Sequence, residues 1–436
     1  MENTENTQLE TAFDYDILAS RTSRNETNHF HIYVDDDGDY QVVDGNLVCD
    51  NLSTKEYGSL VHEYIHYIQH IQTIYGVNRT RLHNRLFIEY KNYLKEHEKI
   101  ELPLSAKTVN PKVINVFTKA NETEGSRNYP HNIDEVEIRR GDIELARKKK
   151  QSVRIGIYDF ESGDALDGEE GYHFGYWAII EGMAHHIQLL IDPTADKRHS
   201  TVPYKIVDKI CQAMYPEICN DKLLMISICM IALSYCNPGV GFFDVADYAS
   251  TNKINNGRTL YKESLMNKVI FRNKKLTMRE MLRIEQNELL HEFEAITGVK
   301  SDYYKRVFVQ TNEELSTGES TLLNLIYDGS IKNVKSFNDV LLRVYGFPFI
   351  ESHKSSLLQN NIETKKPYVE IAFLASWELL YKRLVNKDST KCNRYDICHG
   401  SNKFSIECRD AQWLKKKECL LSLGFQLFAG NVKEWV

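Results

Sequence analysis

The sequence predicts an α+β chain, with a small β-sheet and two central helices in roughly the first 200 residues and a mainly helical unit after them. Three observations carry this prediction. Apolar residues alternate with period two at 30–34, 40–43, 136–145, 153–160 and 172–174, as half-buried strands require. Two long stretches, starting near Ser53 and Tyr176, instead repeat their apolar residues every three or four positions, the stripe of a helix packed on one face. From Thr201 onward the helical period dominates. With 436 residues, 42% of them hydrophobic and 26% charged, the chain has ample material for a large core.

In chain order, residues 1–12 are polar and are expected as a flexible tail. The apolar runs 30–34 and 40–43 flank Asp35-Asp36-Asp37-Gly38-Asp39, which predicts a hairpin. Ser53 and Glu56 then form a capping box, and the helix they open is expected to run to Tyr75, with Leu60, Val61, Tyr64, Ile65, Ile68 and Ile71 as its buried stripe and Gly76 as its stop. A second helix follows at 81–99, then an exposed polar loop at 121–132, strands at 136–145, 153–160 and 172–174, and Gly/Asp-rich turns at 163–168. The helix starting at Tyr176 or Trp177 must end before Pro193, which disfavours helical geometry in the residue ahead of it. The polar stretch 192–199 is the boundary: the reading is one domain at 13–198, with an insertion at about 100–170, and a helical domain at 199–436. Helices are expected in the second unit at 204–214, 222–235, 277–296, 320–327, 337–344 and 368–384.

Charge and composition exclude several classes. Lys and Arg total 54 against 61 Asp and Glu, a net charge of −7, so no nucleic-acid partner is expected. The basic runs 147–150 and 415–417 are expected as solvated faces. No membrane partner is expected either: the first 18 residues have neither a basic nor an apolar leader segment, and the longest apolar run, 223–236, is too short to span a bilayer. Nine cysteines, an odd number spread along a long chain, fit free thiols in a reducing cytoplasm. Cys392, Cys398, Cys408 and Cys419, with His399, lack tight C-x-x-C pairs and are read as buried thiols rather than a second metal site.

The chemistry lies in His62-Glu63-Tyr64-Ile65-His66, inside the first helix. A spacing of four puts both imidazoles on one face, where they can hold one Zn²⁺, and Glu63, adjacent to the first ligand, is placed to act as a general base on water. With 15 histidines in the chain, this pentapeptide arises by chance in only about 0.04 of such sequences. A third ligand is required. His70 continues the series but lies about 12 Å from His62 along an unbroken helix, too far to share one ion. Glu181, on the second amphipathic helix, is the candidate, and the small residues Gly182 and Ala184 are expected to let that helix approach the first. A hydrogen-bond donor for a developing oxyanion is sought among Tyr172, His173, Tyr176, His185 and His186, with Tyr176 and His185 carried forward as catalytic candidates.

This pair of short motifs, H-E-x-x-H and a downstream Glu181-Gly182-Met183-Ala184, resembles the gluzincins, the thermolysin-like zinc metallopeptidases. The resemblance covers the two helices and the preceding hairpin. It implies a zincin-like catalytic domain, one zinc per chain on His62, His66 and Glu181, hydrolysis of peptide bonds in an intracellular protein substrate with Glu63 as base, and an edge strand in the hairpin for pairing with substrate. Where the family commonly has an acid one turn after the ligand glutamate, this chain has His185. The helical C-terminal unit would close the cleft and offer a face to a regulatory protein partner. Two rivals remain: a di-iron carboxylate protein using Glu63/His66 and Glu288/His291, and a noncatalytic binding protein on a zincin scaffold.

Overall fold

The computed structural model describes residues 52–346, with interruptions at 98, 101–103, 105–108, 128–132, 160–163, 167–170 and 299; outside that span it describes 24–26, 31–34, 40–43, 46–48, 348–352, 356–357, 384, 405–409, 422, 424 and 434–435. These residues are mostly helical, with small and mainly antiparallel sheets. The centre is helix α1 (Thr54–Gln72), opened by the Ser53/Glu56 capping box and buried on nearly every side from Tyr57 to Gln72. It packs against α5 (Tyr176–Ile191), and the two run antiparallel: Gly58 lies against Asp192 at one end, and His70 meets Tyr176 at the other. Around them lie α2 (Ile74–Glu96), α3 (Pro111–Asn121), α4 (Arg140–Lys149), α6 (Ile206–Met214), α7 (Lys222–Ala232), α8 (Pro238–Thr251), α9 (Gly257–Leu265), α10 (Met278–Thr297), α11 (Asp302–Thr317) and α12 (Thr321–Tyr327). One continuous apolar cluster runs from Ile32 to Ile350 and includes residues on both sides of position 199. No helix among the described residues is long and apolar enough to cross a membrane.

Helix α1 ends earlier than its stripe suggests. Thr73 is extended, its hydroxyl donates to the Gln69 carbonyl and accepts from the Gly76 N–H, and α2 starts at Ile74, so Gly76 lies inside a helix instead of stopping one. A Cβ at Gly76 would sit 2.8 Å from the His70 Cα and closer still to the Gln69 carbonyl oxygen, so only glycine allows the chain to turn this tightly on itself. Helix α2 then packs along α10, where Arg81 reaches the carboxylates of Glu285, Glu288 and Glu292.

The strands at 31–34 and 41–43 form, but not as a hairpin with each other. β2 (His31–Val34) lies between β1 (Arg24–Glu26), antiparallel, and β11 (Phe349–Ser352), parallel, while β3 (Gln41–Val43) pairs with β4 (Asn46–Val48). Strand β2 therefore has neighbours on both sides and is not an edge strand free to pair with a substrate. β12 (Ser356–Leu357) completes that sheet. In a second sheet, β6 (Val153–Asp159) lies between β5 (Glu135–Glu137) and β7 (Asp164–Leu166), and its first residues pair antiparallel with β8 (Tyr172–Phe174). The predicted strand 136–145 is overturned beyond Glu137: α4 occupies that stretch, burying Ile143 and Ala146 three residues apart and leaving Leu145 exposed, a helical period among good helix formers. β9 (Lys268–Phe271) and β10 (Lys274–Thr277) form a separate hairpin. Helices α8, α9 and α11 were not anticipated. The tail 1–12, the run 415–417, the expected helix 368–384 (Leu384 apart) and Cys392, Cys398, Cys419 and His399 lie outside the described residues; Cys408 is buried.

Glu314 on α11 ties the end of α1 to the later helices, accepting from Gln72 Nε2 at 3.2 Å, from the Tyr345 hydroxyl at 2.9 Å and from the Thr321 N–H at the start of α12. Burial raises its pKa to about 7, against these hydrogen bonds, which act to lower it. The folded state thus keeps a proton that the unfolded chain releases at about 4.3. Stability contributed by that proton is present below this unfolded value and is lost as pH rises through the folded pKa near 7, by about 3 kcal/mol in all. Glu314→Gln should flatten this fall when unfolding by denaturant is compared at pH 5 and pH 8; an identical fall in the variant refutes the assignment.

Candidate metal centre

A helix buried all round needs a partner for every polar side chain it carries, and α1 carries His62, Glu63, His66, Gln69 and His70, each no more than 5% exposed. Glu181 of α5 meets two of them. His62 Nε2 lies 3.2 Å from Glu181 Oε2, His66 Nε2 lies 3.3 Å from the same oxygen, and the two Nε2 atoms are 3.2 Å apart. Three ligands at about 2.1 Å from a tetrahedral ion stand about 3.3–3.4 Å from one another, so this triangle has the dimensions of a zinc-binding face. Among the described residues these three form the one group of His, Cys, Asp and Glu close enough to hold an ion.

The tautomers agree with ligation. His66 Nδ1 is 2.8 Å from Gln69 Oε1, and Gln69 Nε2 donates to the Ile180 carbonyl at 3.1 Å, so the amide is oriented to accept the Nδ1 proton and leaves Nε2 facing the triangle. Gln188 of α5 faces His62 and favours its charged form. His62 Nδ1 and Gln188 Oε1 are both buried without a hydrogen-bond partner, a donor and an acceptor on facing residues. Burial lowers the His62 pKa and outweighs Glu181; at His66 burial is outweighed by the Glu181 carboxylate together with Glu63 and Gln69, and the pKa is lifted to about 9. The two imidazoles hold the Glu181 carboxyl well below its ordinary range despite burial. A site built around one positive charge has these properties, whether a proton or a metal ion supplies it. Gln69→Leu is expected to weaken zinc binding about 10–100-fold in a chelator competition titration; unchanged affinity would remove Gln69 from this role.

Glu63 is buried beside the triangle, close enough for its charge to act on both His66 and Tyr204. His70 is held away from the triangle, as its distance along the helix requires: its Nδ1 bonds the His66 carbonyl and its Nε2 the Tyr176 hydroxyl, both at 2.6 Å. The Tyr176 hydroxyl is therefore spent in the core and is not presented to a substrate. Tyr172 donates to the Ser126 carbonyl, His173 faces Ser152, and His186 faces Asp208. His185 reaches the site through a neighbour, its Nδ1 lying 3.0 Å from His199 Nδ1. Gly182 faces Val207 of α6, where a Cβ would stand 2.8 Å from Val207 Cγ2; the close approach of α1 and α5 depends instead on Gly58, against Gln188 and Asp192.

His199 and Tyr204 were missed. Their rings stack at 4.2 Å, and each centroid lies 5.9 Å from that of His62. Burial, followed by the charge of His62, lowers the His199 pKa to about 4, so its imidazole is neutral at pH 7. Both residues sit in the irregular stretch between α5 and α6: His199 closes the polar boundary segment, and Tyr204, expected at the start of a helix, precedes α6, which begins at Ile206. Glu288 and His291 are not brought to the site: Glu288 pairs with Arg272 and Arg81, and His291 lies exposed beside Glu294. Comparison with protein-family models, with curated proteins and with solved structures finds no match for this chain.

Proposed function

We propose that the protein is a zinc-dependent metallopeptidase of gluzincin type, with His62, His66 and Glu181 as ligands and Glu63 as general base. The observation that carries the reading is the near-equilateral triangle of donor atoms, with sides of 3.2–3.3 Å, buried between two helices with a carboxylate beside it. When bound, the ion supplies Lewis acidity, polarising a carbonyl and lowering the pKa of water. The side chains do the rest. Glu63 accepts a proton from the attacking water and delivers it to the leaving amine. The Tyr204 hydroxyl and the neutral His199 imidazole, on rings 5.9 Å from that of His62, are the donors offered to charge developing on the carbonyl oxygen, the role first sought at Tyr176 and His185. Gln69 holds the His66 imidazole in the ligating tautomer, and Gln188 faces His62 from α5.

The di-iron alternative loses its second pair, since Glu288 and His291 are engaged elsewhere. A noncatalytic protein on the same scaffold would have no use for a buried carboxylate at Glu63, so that residue favours hydrolysis. The reading places the enzyme among proteins acting on a protein or peptide substrate. The test is zinc quantification on purified protein, together with a search for new protein N-termini in an extract treated with the wild type and with Glu63→Gln. One zinc per chain with termini unique to the wild type is expected; identical termini in both samples would overturn the proposal.

A further inference from the structure

A cavity of about 530 Å³ lies between α2, α3, the end of α4 and the turn leading into α8. Its volume falls in the range of small-molecule sites, about 300–1,000 Å³. Tyr75 and Leu82 give it apolar surface, and Arg79, Lys119, Lys149 and Lys150 bring four cations to it, against Glu122 as the one acidic lining residue. Arg79 is already neutralised: its Nη2 lies 2.6 Å from Glu124 Oε1, its Nη1 donates to Asn121 Oδ1 at 3.1 Å, and its guanidinium stacks over Phe117. No carboxylate among the described residues forms an ion pair with Lys119, Lys149 or Lys150, whereas Arg147, from the same basic run, pairs with Glu144 and Asp244. The run 147–150 is thus divided: one end is a salt-bridged face, and the other supplies positive charge to a concave, partly apolar space.

Lys150 makes the division clearer. It caps α4 with φ 57° and ψ 48°, the left-handed conformation that glycine usually takes at a helix end and that costs a residue with a Cβ about 1–2 kcal/mol. A lysine stands where conformation alone favours glycine.

The chemistry of the cations selects the anion. Recognition of a planar carboxylate by two parallel bonds needs a free guanidinium, and the one guanidinium here is fully engaged; ammonium groups act as point charges and suit a compact, multiply charged head. We propose that this cavity binds a small organic phosphate, with the phosphate on Lys119, Lys149 and Lys150 and an apolar body against Tyr75 and Leu82. The site is separate from the metal centre and holds whether or not the peptidase reading does.

The test is calorimetric titration of the full chain at pH 8 with phenyl phosphate, inorganic phosphate and phthalate. Phenyl phosphate should bind saturably at one per chain, at least about tenfold more tightly than inorganic phosphate because its ring leaves water. The triple variant K119A/K149A/K150A, which changes only exposed side chains, should bind it at least about tenfold more weakly, and added salt should weaken the wild type in the same direction. Absence of saturation up to about 10 mM phenyl phosphate, equal affinity in the triple variant, or phthalate bound as tightly as phenyl phosphate would overturn the proposal.

Discussion

Glu63→Gln is expected to reduce peptide hydrolysis about 10²–10⁴-fold while leaving zinc content at one per chain. Glutamine has the volume and the hydrogen-bonding reach of glutamate but accepts no proton at neutral pH, so the substitution separates base catalysis from ion binding. The residue is buried beside, not within, the donor triangle, and the His62, His66 and Glu181 contacts do not pass through it. Turnover and metal content measured on the same preparation give the answer. A variant that loses its zinc would make Glu63 a ligand, and one that keeps full turnover would end its assignment as the base.

The second large effect is expected from Glu181→Ala. This change removes one corner of the triangle and the negative charge that both imidazoles face, and zinc affinity should fall by at least about 100-fold, more than for loss of an orienting partner such as Gln69. With the carboxylate gone, only the smaller effects of Glu63 and Gln69 oppose burial at His66, so the imidazole pKa should fall from about 9. Chelator competition reads the first effect, and histidine chemical shifts against pH read the second. Zinc held as tightly as in the wild type would mean that α5 merely packs on the H-E-x-x-H helix. Circular dichroism showing intact helices guards against unfolding as the cause, because Glu181 makes its recorded contacts with the two histidines.

Two kinds of information separate in this chain. The helix from Ser53, its capping box, the pairing of His62 with His66 and the period of α5 were legible because each rests on neighbours three or four residues apart, and helical geometry converts that spacing directly into a shared face. Glu181 was also legible, 119 residues from His62 along the chain, because two imidazoles on one helix call for a third ligand from another element and the second amphipathic helix carries this acid. Strand pairing was not. Alternation at 31–34 says that one face is buried but names no neighbour, and the parallel partner of β2 proved to be Phe349–Ser352, far along the chain from it.

What only the tertiary structure decided is the fine equipment of the site. Tyr176 and His185 carry the right chemistry in the right stretch, yet Tyr176 points its hydroxyl at His70 and His185 meets the site through His199 and Tyr204. His199 and Tyr204 reach His62 from the irregular backbone between α5 and α6, which takes its shape from the elements it joins. The sequence by itself determined which helix carries the paired imidazoles and which carries their carboxylate, a matter of local periodicity. Which side chains surround that triangle, and which lysines gather around a distant cavity, follows from contacts between residues far apart in the chain, and nothing in local spacing encodes those.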